Sequence, residues 1–153
     1  MKEKNKFLQI GSILMIVAAV VFIISVAVGM PQVVASLDFL KTTNLDGTQM
    51  MENAEKLNMT ADQAIAFSST IIYVLIGIMV AFNVVKIIVG ILGLKKADQP
   101  SKFFTVWGVI FLIFGILGLG NIVSIMDLCN LAGGIAAPIL FLIGAKQNKK
   151  NSV

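Results

Sequence analysis

Residues able to do chemistry are few in this chain, and they stand within or beside apolar runs. Asn83 and Lys86 lie about one helical turn apart inside the run Ile71–Leu94. Ser124, Asp127 and Asn130 recur every three residues beside another run, with Cys129, the only cysteine, among them. The chain has no histidine. A conventional zinc site or a Ser-His triad therefore cannot be assembled within one chain. No nucleophile–base pair, metal cluster or cofactor motif is legible, so the expectation is a protein with no catalytic residues, no metal and no cofactor.

Lys86 is the one charge deep in a clear apolar segment. Charge is costly in hydrocarbon, so such a residue marks a functional site by default. With Asn83 on the same helical face it could line a small polar pocket or a path for an anion. The competing reading is snorkelling. Lys95 is nine residues on, about 13 Å along a helix, and a lysine stem can reach part of that way to the headgroups. Both readings stay open. Asp127 is the obvious counter-charge, but it belongs to the opposite end of its own segment, so a direct ion pair is not expected. The spacing of Ser124, Asp127 and Asn130 gives one polar helical face, read as an outer face meeting water. Cys129 reads as a small structural residue, because no lysine close in sequence is there to activate a thiol.

The elements that must position these residues follow from composition. Of 153 residues, 58% are hydrophobic and 13% charged, against about 25% charged in a soluble domain. Such a chain cannot cover a globular surface, which excludes a soluble enzyme, a disordered chain and a disulfide scaffold. The expected fold is all-α: an integral membrane four-helix bundle in one domain, with a short extracytoplasmic helix between spans 1 and 2. A span needs roughly 20 apolar residues. The spans are read at about 7–29, 66–94, 103–120 and 123–145. The fourth has an alternative start at Leu131, after a short polar helix or loop, and Pro138 lies inside it. Gly29 and Pro31 are expected to end the first helix. The first apolar run is 22 residues, longer than the h-region of about 7–15 in a signal peptide, and is read as an uncleaved span.

Lysine placement sets the orientation. Lys2, Lys4 and Lys6 precede the first span, Lys95, Lys96 and Lys102 lie between the second and third, and Lys146, Lys149 and Lys150 follow the fourth. The positive-inside rule predicts a multi-pass protein of the cell membrane with both termini cytoplasmic. The net charge of +4 is thereby a mark of topology, and no nucleic-acid partner is expected.

The segment from about 30 to 65 is the one polar stretch of any size, and it is expected outside. Asp46-Gly47 marks a turn. A short helix is expected near 48–58, a break at Asn58–Thr60, and a capping box from Thr60 to Gln63 opening a long helix from Ala61 to Leu94. Met50, Met51, Leu57 and Met59 give the short helix an apolar side. That side either rests on the spans and lipid or docks a partner, since Met-rich faces re-pack readily. Small-xxx-small pairs such as Ser25/Gly29, Gly77/Ala81 and Gly133/Ala137, with Gly108, Gly115 and Gly118, favour close helix packing. Phe103, Phe104, Trp107 and Tyr73 are read as an aromatic belt.

The stretches IIVGILGLKK, SKFFTVWGVIFLIFGILGLG and AGGIAAPILFLIGAKQNKK, within Ile87–Lys150, resemble small uncharacterised four-span membrane proteins of Gram-positive bacteria, a domain of unknown function. The resemblance implies a four-helix arrangement with a variable outer segment, and it implies no activity. A layout with a long first outer loop is also similar to claudins, but their Trp-Gly-Leu-Trp signature and two outer cysteines are missing. Small multidrug transporters carry an acid in the first span, and this first span has none. The expectation is a non-enzymatic accessory, interaction or structural subunit of the cell envelope, whose partners are the lipid bilayer and a membrane protein or further copies of itself. A small oligomeric transporter or channel component and a membrane immunity or envelope-stress protein are the alternatives.

Overall fold

The computed structural model of the protein describes residues 4–42, 49–118 and 124–150, and every regular element among them is helical. α1 (Lys6–Thr42), α2 (Gln49–Lys56), α3 (Ala61–Lys96) and α4 (Lys102–Leu117) come first. α5 (Ile125–Asn130), a π-helical segment (Leu131–Ala136) and α6 (Ala137–Lys150) then follow without a break. α1, α3 and Asp127–Lys150 are long and apolar enough to cross a membrane, and α4, with 16 residues, is a shorter apolar helix. The Asp46-Gly47 turn lies outside the described residues.

One boundary differs from the sequence reading, and at another the structure decides between two starts. α1 does not end at Gly29 and Pro31; it runs on to Thr42, with Pro31 inside it. A proline removes a single interior N–H and crowds one carbonyl. The turns beyond it hold through local bonds: Ser36 Oγ donates to the Gln32 carbonyl at 2.8 Å, and Lys41 pairs with Asp38 at 2.7 Å. Of the two starts read for the last helical run, the described helix follows the earlier one, from Ile125, and Leu131 is not a fresh start. The polar helix α5 leads directly into a wide turn, in which the Ala137 N–H donates to the Ala132 carbonyl five residues back. Pro138 has no N–H for the Gly134 carbonyl, and its ring crowds that carbonyl in an ordinary α-turn. A π-turn provides the extra residue that relieves the crowding.

The start of α3 is as the sequence predicts. The Gln63 N–H donates to Thr60 Oγ1 at 3.3 Å, and the Thr60 N–H donates to Gln63 Oε1 at 2.9 Å. The end of α2 is closed by a local motif. Asn58 adopts φ 53°, its N–H donates to Glu55 O at 3.0 Å, and the Met59 N–H donates to Ala54 O at 2.9 Å. This is a Schellman closure, with asparagine in the left-handed position that glycine usually takes.

The chain forms two compact units, Val26–Val80 and Met1–Ser25 with Ala81–Val153. In the first, α1, α2 and α3 each bury apolar residues: Leu37, Ala54, and Ala64 with Ile65. In the second, Leu8 and Met15 of α1, Val89 of α3, Phe104 and Phe111 of α4, and Ala137 and Phe141 of α6 share one core. Three of the rings read as an aromatic belt, Phe103, Phe104 and Trp107, pack in or against the core. Phe104 is fully buried and packs edge-on against Phe141 at 5.2 Å, and Trp107 stacks on Phe111 at 5.2 Å. These rings fill the core, because α4 turns them toward α6 and α3.

Close helix contacts also sort the small residues. A methyl group at Gly115 would land on the Gly134 carbonyl, and one at Gly93 on Ser12 Oγ. Gly29 and Gly77 face open space, so the Ser25/Gly29 and Gly77/Ala81 pairs do not pack there. Gly115→Ala is expected to destabilise the protein by about 1–3 kcal/mol through overpacking. Gly77→Ala should be neutral or stabilising by up to about 1 kcal/mol, since alanine is the better helix former. Thermal unfolding of both variants in one detergent checks the contrast.

Candidate functional site

Lys86 is buried in the helices of its unit, with 5% of its surface exposed, and Asn83 is buried one turn before it at 7%. Helical side chains lean toward the helix N-terminus, and Lys86 follows that rule. Its Nζ lies 5.3 Å from the centre of the Phe82 ring, four residues back. The ammonium therefore points away from Lys95 and Lys96 at the C-terminal end of α3. Snorkelling toward that end is not what the side chain does. It lies instead over an aromatic face, a favourable place for a cation, and its charge acts on Cys129. The sequence reading put no lysine near Cys129 because it compared positions along the chain. α3 and α5 bring the two together in space.

Ser12 is a further polar residue of this interior. It is fully buried, and its Oγ has no hydrogen-bond partner. It faces Gly93, where a serine is small enough to let α1 and α3 approach.

Ser124, Asp127 and Asn130 are each engaged. The Ser124 N–H and hydroxyl both donate to Asp127 Oδ2, at 2.9 and 2.7 Å, and the Asp127 N–H donates to Ser124 Oγ at 3.2 Å. The pair is a capping box opening α5. Asn130 Nδ2 donates to the carbonyls of Gly118 at 3.0 Å and Gly115 at 3.4 Å. It satisfies the open C-terminal carbonyls of α4. The three residues thus build a helix start and a helix-to-helix tie rather than one polar face.

Leu57 and Met59 lie beyond the end of α2, so they do not continue its apolar side as the sequence reading had it. Leu57 is exposed, and Met59 is partly buried in the closing turn. The side chains of Met50 and Met51 lie outside the described residues.

One cluster escaped sequence reasoning. Asn5 joins three separate parts of the chain. Its N–H donates to Ala97 O at 3.0 Å, and its Nδ2 donates to Asn148 Oδ1 at 2.9 Å and Gln147 Oε1 at 3.1 Å. Its Oδ1 accepts from the Phe7 and Leu8 N–H groups at the start of α1. Asn148 Nδ2 in turn donates to Ala97 O and Gln99 O, both at 3.1 Å. The start of α1, the corner after α3 and the end of α6 are thereby held at one end of the unit. The lysine groups of those three segments gather there. Asparagines in short polar stretches carry no periodic signal, so only contact reveals them. Beside this cluster, an open cavity of about 460 Å³ lies between the Pro100–Lys102 corner, Thr105 and Val106 of α4, and Ala145 and Lys149 of α6.

Among the described residues no group of His, Cys, Asp or Glu side chains is arranged to hold a metal ion. Lys86→Leu is expected to fold and to melt at the same temperature or higher. Removing a charge from an apolar interior relieves a cost of roughly 2.5–3.5 kcal/mol on insertion scales. Lys86→Asp, which puts an acid over the ring face, should melt lower. Melting curves of both variants in the same detergent provide the check. Comparison with protein-family models, curated proteins and solved structures gives no match to this chain.

Proposed function

We propose that the protein is a four-span integral membrane protein of the cell envelope. Both termini are cytoplasmic, and it works without catalysis as an accessory or interaction subunit. The observation that carries this reading is the length of two helices. α1 has 37 residues and α3 has 36, about 55 Å each at 1.5 Å per residue, against a hydrocarbon core of about 30 Å. In a four-span arrangement the surplus turns of α1 and α3, with α2, lie on the outer side, within the segment 30–65. That segment is acidic and carries exposed Leu57. It is the part of the chain suited to contact a membrane-protein partner or a second copy. The meeting of three lysine-bearing segments at one end of the larger unit supports the orientation, because the positive-inside rule wants them on one side.

A second reading is favoured by Lys86. A buried ammonium directed toward Phe82, with Asn83 beside it, suits a site on the path of an anion through an oligomer.

Two experiments test these readings. In a Cys129→Ser background, Glu55→Cys should react with an impermeant maleimide in intact cells, while Lys150→Cys should react only after lysis. Labelling of Lys150→Cys in sealed cells overturns the orientation. Replacing Gln49–Asn58 with a Gly/Ser linker should preserve insertion and helix content but abolish cross-linking to a partner in native membranes. If cross-linking survives the linker, while anion flux into proteoliposomes is present and disappears with Asn83→Leu and Lys86→Leu together, the transport reading replaces the interaction reading.

A further inference from the structure

The cavity between α4 and α6 is lined by polar and apolar residues together. Lys102 and Lys149 are on its lining together with the Thr105 hydroxyl, while Val106 and Ala145 supply the apolar part. Its two cations come from different helices, and the Asn5–Ala97–Asn148 bonds hold the surrounding corner in place. From the cavity an apolar track continues along α4. Val106, Val109 and Ile113 are all about half exposed, and their spacing of three and four residues puts them on one helical face. A cavity with two lysines in its lining, continuous with an exposed aliphatic strip, matches an amphiphile with an anionic head and a hydrocarbon tail.

We propose that this cavity binds the phosphate headgroup of an anionic phospholipid, with an acyl chain lying along Val106, Val109 and Ile113. The two lysines bring two positive charges to the cavity's lining, which an anionic phosphate uses better than an uncharged or zwitterionic headgroup. Thr105 can donate a hydrogen bond to a phosphate oxygen. The inference rests on the four-span reading, in which this lysine-bearing end meets the cytoplasmic leaflet, where anionic lipids attract basic segments. It assigns the binding to one cavity rather than to the lysines at large.

The test is native mass spectrometry of the full chain released from detergent, with phosphatidylglycerol and phosphatidylcholine of identical acyl chains added in turn. Phosphatidylglycerol adducts should exceed phosphatidylcholine adducts. Lys102→Gln with Lys149→Gln should weaken phosphatidylglycerol binding by about 25-fold, at roughly five-fold per lysine. Lys6→Gln with Lys95→Gln removes the same charge from exposed positions at the same end. That control should change binding by less than about two-fold, since neither lysine lines the cavity and exposed charges are screened by salt. Val106→Trp fills the groove without altering charge and should also reduce binding. Glycerol phosphate, the soluble headgroup, separates the sources. Weak competition is expected from a lipid site, whereas competition at equal concentration would show a site for a free phosphate ester and overturn the acyl-chain assignment. Equal losses from the two lysine pairs, or equal adducts of the two lipids, would overturn the cavity assignment. Circular dichroism and gel filtration of each variant separate lost binding from lost folding. A chain extractable without detergent would refute the four-span reading itself, a result distinct from failure of lipid binding.

Discussion

The approach of α4 to the π-turn at Gly115 and Gly134 governs much of the larger unit. There two backbones meet with no side chain between them, and the Gly134 carbonyl occupies the place a methyl group would take on Gly115. Pro138 bears on this contact, because it cannot offer an N–H to that carbonyl. The wide turn, the missing donor and the paired glycines are one solution to a single packing problem. Its consequences run in both directions. Toward one end, Asn130 is brought to the last carbonyls of α4, and Cys129 to the neighbourhood of Lys86. Toward the other lies the cavity between α4 and α6, with Lys102 and Lys149 in its lining.

Lys86 shows how helix geometry constrains a charge. A lysine near the C-terminal end of a helix is poorly placed to reach onward past that end, because its stem leaves the backbone toward the N-terminus. In α3 this directs the ammonium over Phe82 and toward α5. An aromatic face offers electrostatic attraction without a hydrogen-bond acceptor. The ring face attracts the ammonium but supplies no counter-charge. That combination underlies the anion-path reading, which competes with the proposed interaction role.

The polar residues at the lysine-rich end act differently. Asn5 and Asn148 use amides, which donate and accept at once, to join three segments far apart in sequence. A lysine there would add only donors. The amides therefore hold the corner, while lysines around it make contacts of their own, Lys4 to the Leu94 carbonyl and Lys96 over the Phe103 ring. In the proposed orientation this makes a rigid basic surface at the cytoplasmic headgroups, suited to recognising lipid phosphate at one defined place.

Much of the architecture could be read directly. The long apolar runs specify helices, because such residues leave the backbone no other way to satisfy its polar groups away from water. Thr60 and Gln63 specify the start of α3, since a capping box is local and complete within four residues. The chemistry of the chain was legible too, in its lack of histidine and its single cysteine. Other features needed the fold. Gly29 and Pro31 look like a helix end along the chain, yet α1 continues, because a proline's cost is weighed against bonds on both sides of it. Leu57 and Met59 look like one face with Met50 and Met51, yet the Schellman turn ends the helix before them. Which glycines meet a partner, which end Lys86 points to, and that Asn5 meets Asn148 across the chain were decided only in three dimensions. Composition and local spacing determine which elements form and how they begin. Tertiary packing decides which faces meet, because close contact depends on the shapes of segments far apart in sequence.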